Sequence, residues 1–172
     1  MWRWVAVAVG VLVVAFLCIG VVKPSVSVSH STLVNRSPEV VWKVFTDASR
    51  AKEWMTGLMS METVSGTRMT VGSRHKLVFL ENDRRVEMEE TLTAIEPGKL
   101  YAFDFSLKEA TGSTTVRLTP KDGATQLTFE GDFRGRSMLW RSLMVILQSM
   151  VDKRQSEDMD KLKTLVEAEP AG

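Results

Sequence analysis

The sequence predicts an α+β fold: a seven-stranded antiparallel sheet covered on one face by helices, the longest of them last, behind a single N-terminal membrane helix. Three observations carry this. An uncharged apolar run stands at the front, segments of period-two alternation separated by short turns fill the middle, and a final segment without Pro or Gly returns to a helical period. The order strand, helix, helix, six strands, long helix asks for one sheet with cover on one face. Its short connections suit antiparallel neighbours rather than a doubly wound sheet.

The first element is "VAVAVGVLVVAFLCIGVV", Val5 to Val22, which as a helix extends roughly 27 Å against a bilayer hydrocarbon core of roughly 30 Å. Trp2, Arg3 and Trp4 stand at its start, and Lys23 with Pro24 closes it, so interfacial aromatics and charge flank an apolar middle. A retained single-pass anchor over residues 1–24 is the favoured reading. The rival is a cleaved signal peptide, whose apolar core is usually shorter, although "PSVSVS" does supply small residues slightly later. A lipoprotein signal at Cys18 is disfavoured by the bulky Phe16 and Leu17 before it. Arg3 and the amino terminus against Lys23 and Arg36 leave the side of the soluble part open.

After the anchor, "SVSVSHSTLV" alternates as a first strand. "NRSPEVVWKVFTDASRAKEW" then reads as a helix with Ser37 at the N-cap and Pro38 in the first turn, followed by a second helix capped by Asp47 and ending near Trp54. Six further strands follow in "LMSMETVSG", "SRHKLVFLE", "RRVEMEETLTAIEP", "KLYAFDFSL", "STTVRLTP" and "TQLTFEGDF", joined by turns such as "END", "EPG" and "KDG". From Ser137 to Ala168 apolar residues recur at three- and four-residue steps, interrupted by the polar "DKRQSED", and predict a helix of roughly 45 Å. One domain over residues 25–168 and a short tail at 169–172 complete the chain.

Without residues 1–23 the chain holds 20 basic and 21 acidic residues, so no basic field is available and nucleic acid is excluded as a partner. Cys18 is the only cysteine, which leaves no internal disulfide. His30 and His75 are the only histidines, and neither an HExxH segment nor a phosphate-binding glycine loop is present, so the sequence implies no metal and no cofactor.

"NRSPEVVWKVFTDASRAKEW", "VSGTRMTVGSRHKLVF" and "VEMEETLTAIEPGKL" resemble the START-like superfamily of Bet v 1-like pollen allergens, polyketide cyclases and lipid-transfer domains, over about Val26 to Val166. The resemblance implies a helix-grip fold, in which a strongly curved seven-stranded sheet holds the C-terminal helix around an apolar cavity for a lipid, steroid or polyketide. Such folds host many activities, so function has to be argued from the site. The membrane anchor is not a general feature of that superfamily.

Tyr101, Phe103, Phe105 and Leu107 share one face of their strand, with Ala102, Asp104, Ser106 and Lys108 on the other. By itself such a row reads as solid core. Val86, Met88 and Leu92, and Leu127, Phe129 and Phe133, form similar rows, and nine methionines besides Met1 add flexible, polarizable side chains. Together with the resemblance, these rows favour a cavity for a hydrophobic small molecule, with Met88, Tyr101, Phe103, Phe105, Phe129, Met144 and Met150 as its contacts. Glu90 shares the parity of Met88 and Leu92. It is either an inward carboxylate, paired, raised in pKa or placed at the rim, or a bulge or edge residue in water. His75 shares parity with Leu77 and Phe79.

Three functions compete. The favoured one is binding or transfer of an apolar molecule (lipid, quinone or polyketide-like) beside a membrane. The second is a cyclase-like or isomerase-like enzyme using Glu90 or His75 as acid or base, and the third is a non-catalytic interaction domain with an unspecified protein partner. In "SMLWRSLMVILQSM", apolar residues cover more of the helix than one inward stripe needs. Either the domain buries them all, or Trp140 and its neighbours form a lip toward membrane lipid, with Arg136 and Arg141 near anionic headgroups.

Overall fold

A computed structural model describes residues 2–170. Its elements in chain order are α1 (Trp2–Val22), β1 (Val26–Val34), α2 (Pro38–Phe45), α3 (Ala51–Trp54), β2 (Leu58–Ser65), β3 (Arg74–Glu81), β4 (Arg84–Glu96), β5 (Leu100–Ser106), β6 (Ala110–Lys121), β7 (Ala124–Gly135) and α4 (Met138–Glu167). The seven strands form one antiparallel sheet in the order β1-β7-β6-β5-β4-β3-β2, a meander from β2 to β7 with β1 added beside β7. This is the helix-grip fold that the sequence implies.

Two devices bend the sheet. Register shifts interrupt the β2–β3 and β4–β5 ladders, the latter between Leu92 and Ala94, and an irregularity of this kind bends its strand and increases twist. Glycines on β6 and β7 let aromatic rings lie against the backbone: a Cβ on Gly112 would stand 2.5 Å from the Phe105 ring and 2.0 Å from the Asp132 carbonyl oxygen. Gly131 leaves room in the same way for the ring of Phe133, which packs on Phe105 at 5.2 Å between centroids.

α2 begins as expected, with Pro38 in its first turn and Ser37 at the N-cap, but the Ser37 hydroxyl accepts no backbone N–H. Asp47 does not cap α3. Its carboxylate accepts from the backbone N and the hydroxyl of Ser49, closing a local turn, and α3 starts later behind Arg50. α4 runs unbroken through "DKRQSED" because those polar groups have tertiary partners. Arg154 bonds Glu81 at 2.7 Å and the Thr56 carbonyl, and Asp158 accepts from the Thr56 backbone N at 3.0 Å, which ties α4 to the α3–β2 loop and to the β3–β4 hairpin.

The buried core is unevenly distributed along α4. Met159, Leu162 and Val166 pack with Val34, Val41, Val44, Trp54, Leu92, Val116 and Leu127, while the first twenty residues of the helix contribute no fully buried apolar side chain. That front half meets α1 instead. Ser142 is fully buried; its hydroxyl accepts from Gly20 N at 3.0 Å, and a Cβ on Gly20 would stand 2.7 Å from Ser142 N. Lys23 donates to Gln148 Oε1, Gln148 donates to the Ser27 carbonyl, and only residues 23–25 separate α1 from β1. Phe16 and Leu17 are half-buried, and the rest of α1 is exposed. Among the described residues it is the one helix long and apolar enough, by length and composition, to be a membrane span or a signal sequence.

Candidate ligand cavity

Between the concave face of the sheet and the front half of α4 lies a cavity of about 700 Å³. Period-two geometry builds its floor: Tyr101, Phe103 and Phe105 from β5 with Leu107 just after it, Val86, Met88 and Glu90 from β4, His75, Leu77 and Phe79 from β3, and Leu127, Phe129 and Phe133 from β7. α4 supplies the roof with Met144, Leu147, Met150, Val151, Gln155 and Met159. All seven contact residues expected from the sequence lie on this wall, as do Glu90 and His75. Seven of the nine methionines other than Met1 line it, whereas Leu92 belongs to the solid core. Leu80, Asn82 and Met150 are exposed where they border it, so they mark its mouth.

Polar groups are few. Glu90 is 4% exposed and takes the inward alternative; burial raises its pKa to about 7, although the Tyr101 hydroxyl, donating to Oε1 at 2.7 Å, acts in the opposite direction. The same burial, and then the Glu90 charge, push the Tyr101 phenol upward. Oε2 of Glu90 meets no protein donor among the described residues. His75 stands opposite Glu90 in the β3–β4 ladder, but its ring is occupied elsewhere: Nδ1 lies 3.1 Å from Thr63 Oγ1 and Nε2 lies 3.1 Å from Ser73 Oγ. Burial, followed by the Arg68 charge, lowers the His75 pKa. With both nitrogens engaged, His75 holds structure rather than a free acid or base.

Arg68 and Gln155 are among the lining residues that escaped the sequence reading. Arg68, on the β2–β3 loop, donates to the Thr46 carbonyl at 2.6 Å, and nothing in its loop sequence signalled that position. Gln155 carries a more telling feature: both atoms of its carboxamide are buried and neither has a partner. A buried amide without a partner costs free energy on the order of 1 to 3 kcal/mol. Its position four residues after Val151 and four before Met159, both on the apolar face, was the available signal.

A curved sheet gripping a helix around an open apolar interior defines a protein class in which the space, not a surface, is the distinguishing part. The chain belongs to the polyketide cyclase / dehydrase and lipid transport family, matching it over residues 25–167. The fold is similar to that of the Zhui aromatase/cyclase from a Streptomyces species, at 16% identity and a TM-score of 0.71, covering 83% of this chain and 94% of that one. A protein from Chromobacterium violaceum is similar at 16% identity and a TM-score of 0.69 (83% and 98% covered), and one from Thermus thermophilus at 15% and 0.66 (82% and 97%). No curated protein matches the sequence.

Proposed function

We propose that this protein binds or transfers an apolar small molecule carrying a polar head, and does so beside a membrane to which α1 anchors it. The observation that carries the reading is the 700 Å³ interior walled by Met and Phe side chains. Such a volume lies within the usual range for ligand sites and holds about twenty non-hydrogen atoms. At about 0.3 kcal/mol per atom that amounts to roughly 6 kcal/mol, a dissociation constant in the tens of micromolar. The polar head is supported by Glu90 on the cavity wall, where Tyr101 occupies only Oε1. The membrane anchor is supported by the fit of Gly20 against Ser142, which gives α1 a specific seat on the domain. A presented surface without a ligand fits this open interior poorly.

Native mass spectrometry of the full chain followed by solvent extraction tests the reading. A co-purifying lipid, quinone or polyketide-like molecule is expected, and protein that is consistently empty and takes up no apolar probe overturns it. The Glu90–Tyr101 pair favours a second reading, cyclase-like or isomerase-like proton transfer, because a carboxyl near pKa 7 is matched to that work. Under that reading the extracted compound, returned to stripped protein, is converted to a product, and conversion stops in Glu90→Gln.

A further inference from the structure

The front of α4 carries an apolar stripe of which the cavity uses only the last residue, Met150. Leu139, Leu143, Ile146 and Met150 fall at i, i+4, i+7 and i+11, on one side of the helix. Leu139, Ile146 and Met150 are 55%, 57% and 66% exposed, and Trp140 is half-buried. The stripe begins beside Ser142, where α4 meets α1, and ends at Met150, on the mouth of the cavity.

We infer that this stripe is seated in the interfacial layer of an anionic lipid leaflet, so that the cavity mouth opens onto the acyl boundary of the bilayer. The inference rests on α1 spanning that bilayer, and the α1–α4 contact then sets the depth. The Ser142 hydroxyl accepts from Gly20 N at 3.0 Å and lies 3.4 Å from the Leu17 carbonyl oxygen, and α1's apolar run ends at Val22. Gly20 and Leu17 are therefore roughly 3 and 8 Å inside the end of that run, at a rise of about 1.5 Å per residue. Leu139, Leu143 and Ile146 lie within about a turn of Ser142 along α4, and Lys23, one residue past the run, bonds Gln148, so Met150 stands at the edge of that run. Interfacial helices bury their apolar faces to about 5 to 10 Å, so the depth is the one such a stripe needs.

Charge agrees with this placement. Arg141 follows the first turn of α4, Arg134 and Arg136 lie on and just after the β7 end that leads into it, and Lys23 closes α1, with Glu109 and Asp132 the nearby acids. Arg136 donates to the Leu107 carbonyl and the Ser106 hydroxyl, which holds it at the rim formed by the β5–β6 turn. Long Arg and Lys side chains rooted near this depth reach outward to lipid phosphates.

The test uses the full chain with Cys18→Ser, reconstituted into vesicles of phosphatidylcholine with about a third phosphatidylserine. A polarity-sensitive label is placed on one introduced cysteine at a time, in Leu139→Cys, Ile146→Cys or, as a distal control, Thr119→Cys. Lipids brominated at shallow acyl positions should quench the labels at 139 and 146 at least threefold more than the one at 119. The difference should fall when Arg134, Arg136 and Arg141 are all changed to Gln. Alkaline carbonate extraction of the same samples separates the two ideas. Protein that resists extraction while all three labels are quenched alike retains the anchor and overturns the docked stripe, leaving that face to a protein partner. Protein that is extracted overturns both.

Discussion

Glu90 is the residue whose chemistry is most displaced from its ordinary behaviour. Its carboxyl moves from 4.5 to about 7 on folding, so between those values the unfolded chain releases a proton that the folded chain keeps. Stability therefore falls as pH rises through that window, and the cost is complete above about pH 7. At most it is on the order of 3 kcal/mol. Glu90→Gln should match wild type near pH 4 and exceed it by about 1 to 3 kcal/mol at pH 8, read by urea denaturation at both pH values. His75 acts in the opposite sense, because its lowered pKa makes stability rise with pH up to the ordinary histidine range, but it does so equally in both proteins and cancels in the comparison. Gln155→Met should raise the stability of the ligand-free protein by about 1 to 2 kcal/mol by removing an unpaired amide. Urea denaturation of the two ligand-free proteins checks this.

At the scale of elements, α4 is two helices in one. From Met144 to Met159 it roofs a space, and toward its C-terminus it packs into solid core, with Leu162 at the border, so equal truncations should have unequal costs. Leu162→Ala should destabilise by about 2 to 5 kcal/mol, whereas Leu147→Ala, on the cavity wall, should cost under about 1 kcal/mol in denaturant melts. Gly112→Ala should cost about 1 to 3 kcal/mol and reduce probe uptake, since the new methyl group collides with a ring that has only the cavity to move into.

Most element identities were legible because periods of two and of about four, punctuated by turn residues, are local properties of the chain. The row Tyr101, Phe103, Phe105 could be assigned to one face for the same reason. The late start of α3 was not legible, because Asp47 serves a turn and a helix cap equally well and the Ser49 contacts decide between them. The continuity of α4 was legible from the lack of Pro and Gly, but the partners of its polar stretch, Glu81 and Thr56, about 70 and 100 residues distant, were not. The volume of the cavity was beyond parity altogether. Parity gives a side chain's direction, and whether facing rows touch depends on sheet curvature, which the bulges and Gly112 supply.

For the whole molecule, the proposed anchor and the cavity share one helix, and the chain between α1 and β1 is only residues 23–25. Three residues reach at most about 10 Å when extended, and the Gly20–Ser142 seat removes even that slack. A domain held so close has no stroke. With α1 in one bilayer it cannot ferry cargo across an aqueous gap, and any exchange with another membrane or a soluble acceptor has to happen by apposition at the surface where it stands. In a donor and acceptor vesicle assay the rate of probe transfer should therefore climb with total vesicle concentration, as collisions do, instead of levelling off. A Gly/Ser insert of about twenty residues after Pro24 together with Gly20→Val, which adds a root-mean-square reach of about 25 Å and releases the seat, should relax that dependence.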